Sequence, residues 1–174
     1  MKNLVVLPLL AVLFFSCKTS PEKLITGKWQ AVKLENPTLE QQITQLKSFL
    51  DTVGQHTTIE QNEVLYGVKN IDSLKQIQEA QIEQALQQQA NDMQHTFFNF
   101  LQDGKVIYSF GTNPDTACWY IEGEKKLVLD EKKLKGMGSV VKMDILLLEK
   151  EHLQLGFHEN SFSSTATFSK AANE

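Results

Sequence analysis

The stretch from residue 36 to residue 95 carries apolar side chains at spacings of three and four, with glutamine at many positions between them. This spacing predicts helices that bury one face. Asn36 can cap a first helix, and Gly54 can end it. Thr57 and Glu60 form a capping box for a short second helix.

A third helix is predicted from Asp72 to His95. Its apolar side chains fall on one face, partly at 11-residue intervals: Ile71, Leu74, Ile82, Ala85, Leu86 and Met93. Such a stripe can pair with a coiled-coil partner or pack on the protein's own sheet. Gln78 and Gln89 occupy positions that a strong coiled coil would make apolar, so packing within the chain is favoured.

Residues 26–35 and 96–170 follow the alternation of strands instead, interrupted by turn residues at short intervals. Eight strands are predicted, at residues 27–34, 96–102, 105–110, 116–122, 126–130, 140–148, 153–157 and 164–168. Short turns join most of them, which indicates a closed antiparallel meander. We therefore predict a mainly β fold: one domain at 25–170, containing a small eight-stranded antiparallel barrel with the helices of 36–95 inserted between strands 1 and 2.

The hairpin at Asp103-Gly104 sets the register of the barrel. A two-residue turn would mix polar and aromatic side chains on one face. A turn one residue longer pairs Phe100 with Val106 and places the polar and the aromatic side chains on opposite faces. Continued around the barrel, this alternation predicts an inward face of Trp29, Ala31, Phe98, Phe100, Val106, Tyr108, Phe110, Trp119, Ile121, Leu127, Leu129, Met143, Ile145, Leu147, Leu153, Leu155, Phe157, Ala166 and Phe168.

The predicted interior contains no Asp, Glu, Lys or His. General acid–base catalysis needs ionisable groups in a sheltered site, so the sequence argues against an enzyme. Five apolar residues are predicted to point outward: Val32, Leu34, Val128, Leu146 and Leu148. Since such a surface would be a liability if exposed, we expect the helical insertion to cover it.

The amino terminus predicts export and acylation. Lys2 precedes an apolar run from Leu4 to Phe15, which as a helix spans only about 18 Å and is too short for a stable membrane span. The run ends at Ser16-Cys17, which resembles the cleavage box of bacterial lipoproteins. The resemblance implies a signal peptide at 1–16, acyl chains such as palmitate on Cys17, and a lipidated tether at 17–24.

Lys18 and the overall charge bear on where the protein works. In the Gram-negative lipoproteins that this segment resembles, Asp after the cysteine retains the protein in the inner membrane. Lys18 thus implies a lipid anchor in the outer membrane, with the protein facing the periplasm of the bacterial cell envelope. The chain has a net charge of −4 and no Arg, so nucleic acid is not expected as a partner.

Other chemical motifs are sparse. Cys118 lies inside a predicted strand and has no partner once Cys17 is acylated, so we expect a structural thiol and no disulfide. The four histidines are scattered along the chain, and no metal site or cofactor is predicted.

Several segments together resemble the lipocalin-like domains of bacterial, Bacteroidetes-type lipoproteins. They are Gly27-Lys28-Trp29 at the first strand, Phe100 with Asp103-Gly104, Trp119-Tyr120-Ile121 and Met143-Asp144-Ile145. The resemblance implies a calyx-shaped barrel, often with a small apolar ligand, and Trp29 packed across its closed end. Lipocalins carry an Arg after the last strand that stacks on this Trp. This chain has no Arg, and Lys170 is the cation nearest to that position in the sequence.

Two functions remain open at this stage. The first is a non-catalytic protein that holds a small hydrophobic ligand among Phe98, Phe100, Tyr108, Trp119 and Met143. The alternative is an envelope interaction module that binds a protein partner through its helical insertion. A barrel of eight strands is either filled by side chains or holds one small ligand, so the sequence leaves both open, with an enzyme or enzyme inhibitor as a third, weaker hypothesis.

Overall fold

The computed structural model describes residues 20–111, 113–159 and 162–171, without the side chains of Glu159 and Phe162. The predicted signal peptide at 1–16 and the acylation site Cys17 lie outside these ranges. The predicted tether 17–24 overlaps a helical turn, α1, at Pro21–Ile25.

The described chain forms a closed antiparallel barrel in which β1 to β8 pair in sequence order and β8 pairs back to β1. The predicted fold class is confirmed, with three helices between β1 and β2. The further elements are β1 Gly27–Glu35, α2 Pro37–Thr52, α3 Ile59–Tyr66, α4 Ile71–His95, β2 Phe97–Phe100, β3 Lys105–Ser109, β4 Asp115–Glu122, β5 Lys126–Asp130, α5 Glu131–Lys135, β6 Val140–Leu148, β7 His152–Glu159 and β8 Phe162–Lys170.

The predicted register of the β2–β3 hairpin is confirmed. Phe98 pairs with Tyr108 and Phe100 pairs with Val106. Gly104 takes the left-handed conformation that the longer turn requires, with φ +81°. Most of the predicted inward face is consequently buried in one apolar core.

A bulge in β1 reverses one predicted orientation. The pairing with β8 shifts between Ala31 and Lys33, so Val32 is the extra residue and remains half exposed. Leu34 then pairs with Ala166 and packs against the barrel core. The prediction that Leu34 points outward was wrong, and the insertion does not cover Val32.

A second bulge, in β6, has the same effect. The register shifts between Ile145 and Leu147, which leaves Leu146 and Leu147 exposed to solvent. Leu148 pairs with Leu153 and packs against the core. The predictions for Leu147 and Leu148 were therefore wrong, and Leu146 is not covered. Val128 is fully buried, but the helices of the insertion contact the barrel chiefly through β1 and β8, so its burial is not assigned to the insertion.

The end of the barrel where β1 begins is sealed, and we call it the closed end. Trp29 is fully buried, and its Nε1 donates a 2.6 Å hydrogen bond to the carbonyl of Ile25 in α1. The Nζ of Lys170 lies 4.9 Å from the centre of the Trp29 ring and donates to the Leu24 carbonyl. A Cβ on Gly27 would lie 3.0 Å from Lys170 Cε, so glycine makes room for the lysine stem.

The helical insertion has a small core of its own, formed by Leu50, Val53 and Ile82 and separate from the barrel core. The stripe of α4 packs within the chain: Ile71, Leu74 and Ile82 belong to this helical core and Met93 contacts the barrel core. In the described part of the chain, no helix has both the length and the apolar character needed to span a membrane.

Two helix starts refine the sequence prediction. Asn36 caps α2 through a hydrogen bond from the Leu39 amide, as predicted. The capping box of α3 was misplaced by one residue, because it is formed by Thr58 and Gln61 and not by Thr57 and Glu60. Thr57 instead donates its hydroxyl to the buried Asn62 side chain.

Candidate functional site

One face of α4 lies over the end of the barrel opposite the closed end, which we call the mouth. Residues spaced by three and four along the helix share this face: Ala85, Gln88, Gln89, Asp92 and Thr96. Gln30 on β1 holds the end of the helix, because its Nε2 donates to the carbonyls of Gln94 and Thr96, each at 3.0 Å. The Gln94 carbonyl is one that the helix end leaves unpaired, whereas the Thr96 carbonyl also accepts a hydrogen bond from the Ala31 amide.

A cavity of about 520 Å³ lies between this face of α4 and the rim of the barrel. Its volume falls within the range of small-molecule sites, roughly 300–1,000 Å³. The apolar walls come from the barrel rim, the start of α2 and the middle of α4: Leu34, Leu39, Ala85, Phe110, Phe157 and Ala166. The remaining lining is polar: Glu35, Asn36, Gln88, Gln89, Asp92, Thr96, Ser164 and Thr165.

Phe110 lies between the cavity and the packed core. Its ring makes edge contacts with Phe98, Tyr108 and Phe157, at centroid distances of 5.6, 5.4 and 6.0 Å. Its side chain was predicted to point inward, yet it is 45% exposed because it stands at the mouth. Phe110 therefore offers an apolar surface to anything that enters the cavity.

The five residues predicted to bind a ligand lie below this cavity. Phe98, Phe100, Tyr108, Trp119 and Met143 all belong to the barrel core, and none is more than 9% exposed. None of them lines the cavity at the mouth. The structure thus brings the five together, but in close packing with one another and with the surrounding core.

The four residues of the predicted structural motif lie around the closed end. Gly27 and Trp29 form the contact with Lys170 described above, and Asp103 and Gly104 form the turn between β2 and β3. The Lys105 side chain and, to a smaller extent, the hydrogen bond that the Lys105 amide donates to the Asp103 carboxylate hold the pKa of Asp103 below its usual range. These residues support the barrel at a distance from the cavity.

Two carboxylates line the cavity. Glu35 accepts a 2.6 Å bond from Lys33 Nζ, and this bond raises the pKa of Lys33. Asp92 accepts a 2.7 Å bond from the neutral amide of Gln88. Lysine and histidine do not occur among the described residues that line the cavity, so its charged groups are acidic.

A buried polar cluster occupies another part of the rim. Glu131 accepts hydrogen bonds from the Tyr108 hydroxyl at 3.0 Å, the Ser139 amide at 2.6 Å and the Ser139 hydroxyl at 2.8 Å. The Ser139 bonds in particular lower the pKa of Glu131 to about 2, while burial and then the Glu131 bond raise the pKa of Tyr108 to about 12. At neutral pH the pair therefore keeps one ionised carboxylate and one protonated phenol, a stable arrangement and a poor proton relay.

The alternation of the strands does not predict that Glu131 is buried at the rim. It is only 9% exposed and bonds to an inward-facing tyrosine, although no carboxyl group was predicted inside the barrel. The signal was present: Asp130 caps the helical turn α5 through the Lys133 amide, and Gly136 ends it in the left-handed conformation. A Cβ on Gly138 would lie 2.5 Å from the Glu131 carboxylate, so the loop needs glycine to approach it.

The described residues contain no group of three or more His, Cys, Asp or Glu side chains placed to hold a metal ion. Cys118 is a half-buried free thiol in β4.

No protein-family model matches the chain, and no curated protein matches it. The cavity at the mouth has the volume and the apolar walls of a small-molecule site, and it is the candidate functional site.

Proposed function

We propose that the protein is a non-catalytic lipoprotein of the bacterial envelope that binds a small hydrophobic ligand at the mouth of its barrel, under α4. The observation that carries this proposal is the 520 Å³ cavity with apolar walls. A ligand-binding role needs such a space, whereas a purely structural barrel could close its mouth with side chains as it closes the opposite end.

The geometry supports a ligand site above the core and not within it. The core residues beneath Phe110 are almost fully buried, so they leave little surface for a ligand. The cavity instead offers parts of Leu34, Leu39, Phe110 and Phe157 as apolar contacts. Burial of an alkyl chain there should contribute about 0.8 kcal/mol per CH₂, which is about fourfold in affinity.

A cavity-filling substitution tests the site. Ala85→Trp places an indole in the cavity, whereas Ala80→Trp makes the same change at an exposed position on the same helix. We expect straight-chain alcohols of eight to ten carbons to bind the wild type and Ala80→Trp in isothermal titration calorimetry. Affinity should rise about fourfold per added CH₂, and Ala85→Trp should abolish binding.

Two results would contradict the proposal. One is that no alcohol in the series binds the wild-type protein. The other is that Ala85→Trp binds as tightly as Ala80→Trp while both variants retain the folded circular-dichroism spectrum. Native mass spectrometry of protein purified from membranes supplies an independent measurement, because a resident ligand adds a discrete mass to the wild type and not to Ala85→Trp.

The envelope location rests on the sequence of the amino terminus. Acyl chains on Cys17 would hold the domain at the outer membrane, facing the periplasm, because several buried chains give lasting attachment. Cys17→Ser should move the full-length protein from the membrane fraction to the soluble fraction and remove the lipid mass from the intact protein. Membrane retention of this variant would exclude the anchor as proposed.

The kinship with lipocalin-like domains is likewise part of the proposal. Its support is the start of the first strand at Gly27-Lys28-Trp29, the closed eight-stranded barrel and the lysine stacked on Trp29. In this chain Lys170 occupies the stacking position that lipocalins give to Arg. A ligand at the open end of the barrel is what that kinship would imply.

A second function has one observation in its favour. Four apolar side chains on the insertion are more than half exposed: Val64 is 85% exposed, Ile59 and Leu65 are each 62% exposed, and Ile77 is 57% exposed. An envelope protein partner could bury them. Cross-linking in cells would favour this alternative if Val64→Asp and Leu65→Asp removed a specific cross-linked species while the alcohol affinity stayed unchanged.

A further inference from the structure

We propose that the cavity selects an amphiphile with a cationic ammonium head over one with a carboxylate head. This inference rests on the proposed function, because it names the ligand class for the same cavity. It comes from the distribution of charge around the apolar walls, which is acidic on the α4 side and on the β1 side.

Asp92 is the main determinant. It lies in the last turns of α4, two turns beyond Ala85 on the face that lines the cavity. Its side-chain partner is the neutral amide of Gln88, and the ion pairs that the structure describes do not include Asp92. Its negative charge is therefore not compensated by a neighbouring lysine.

The helix dipoles at the cavity do not decide this preference. The last turns of α4 bring partial negative charge, but the amino end of α2, at Asn36 and Leu39, lines the same cavity and brings partial positive charge. Gln30 donates to carbonyls at the end of α4 but brings no formal charge. The preference therefore rests on the formal charge of Asp92, which a carboxylate head placed beside it would meet with the unfavourable sign.

Glu35 plays a smaller part. It lines the cavity from β1, but Lys33 Nζ lies 2.6 Å from its Oε1 and offsets its charge. Ser164 and Thr165 line the same cavity from β8 and can accept or donate hydrogen bonds without charge. The lining can therefore accommodate a neutral alcohol, and it should rank the three head groups as ammonium, hydroxyl and carboxylate, in falling affinity.

Decylamine, decanol and decanoate test the ranking, because they share one alkyl chain and differ in the head group. Titrations at neutral pH and low salt, below the micelle concentrations, should show decylamine binding at least about tenfold more tightly than decanoate. Asp92→Asn should reduce this ratio to about threefold or less. Glu124→Gln is the matched control, since it removes one charge from the exposed β4–β5 turn at the other end of the barrel and should leave the ratio unchanged.

The outcomes separate the two proposals. Failure of all three compounds to bind would refute the proposed function. Binding of all three with equal affinity, or tighter binding of decanoate, would refute the selectivity alone. Decylamine binding that survives Ala85→Trp would reveal attraction to the acidic surface of the protein, and would also overturn the assignment to Asp92.

Discussion

At the closed end of the barrel Trp29 is fully buried and its indole nitrogen is bonded, whereas at the mouth Phe110 keeps nearly half of its surface exposed. Both ends are built from aromatic side chains on neighbouring strands. The difference lies in what covers them: Ile25 of α1 packs directly into the core at one end, while at the other end a cavity lies between the rim and the part of α4 around Ala85 and Asp92.

If the protein binds a ligand as proposed, stability and binding are assigned to different ends of one barrel. Fully buried side chains at the closed end, such as Trp29 and Phe100, should each contribute more to the free energy of unfolding than the half-exposed Phe110 at the mouth, because buried apolar surface is the largest stabilising contribution in folding. The mouth contributes less and can therefore leave apolar surface available to a ligand. Equivalent substitutions at the two ends should make the difference measurable.

The largest expected effect comes from one substitution made at both ends. Phe100→Ala at the closed end removes a side chain that is 1% exposed and should lower the free energy of unfolding by about 3–5 kcal/mol. Phe110→Ala at the mouth should lower it by only about 1–2 kcal/mol, because much of the ring is already exposed. Urea unfolding measures both, and equal losses would show that the two ends do not differ in this way.

The next effect concerns the buried carboxylate at the rim. The pKa of Glu131 is about 2 in the folded chain and ordinarily 4.5. Ionised Glu131 therefore contributes about 2–3 kcal/mol to the free energy of unfolding, and this contribution is complete above pH 5. It is lost as the pH falls from about 4.5 towards 2. Glu131→Gln should thus be less stable than the wild type at pH 7, with the two unfolding curves converging in acid. A difference in unfolding free energy between the two proteins that stays constant with pH would contradict the assignment of this stability to the ionised Glu131.

The smallest effect tests the lysine at the closed end. Lys170→Met keeps an unbranched apolar stem but loses the contact with the Trp29 ring and the bond to the Leu24 carbonyl. We expect a loss of about 1–2 kcal/mol in the free energy of unfolding. Lys150→Met, in the exposed β6–β7 turn, should change it by less than about 0.5 kcal/mol. If Lys170→Met loses no more stability than this control, Lys170 does not stabilise the closed end.

Much of the barrel could be predicted because apolar and polar residues alternate regularly along most of its strands. In the hairpin around Gly104, one register separates aromatic from polar side chains and the other does not, so Phe98 and Tyr108 could be paired from sequence. The bulges at Val32 and Leu146 could not. Leu146 falls within the apolar run Ile145–Leu148, where shifting the register by one residue exchanges one apolar side chain for another. Val32 is followed by Lys33, and the bulge there places two exposed side chains in succession, which strict alternation does not predict.

The candidate site was harder to predict, since it depends on how α4 sits on the barrel. The spacing of Ala85, Gln88, Asp92 and Thr96 reveals a shared helix face, but this face is polar and gives no apolar signal. The contact that places it depends on Gln30, which is far away in the sequence. The sequence pattern therefore points to aromatic residues at strand positions as the ligand site, and in the structure these residues fill the core.

The direct pairing of β1 with β2 has a consequence for how this architecture can vary. The chain leaves the barrel at Glu35 and rejoins it at Phe97 on the adjacent strand. In topological terms the stretch 36–96 is one long hairpin connection, and the entropic cost of closing such a connection grows only slowly with its length. Replacement or redesign of these helices can alter the roof of the cavity while keeping the pairing of residues 27–30 with 97–100, so the proposed ligand preference can change while the barrel stays the same.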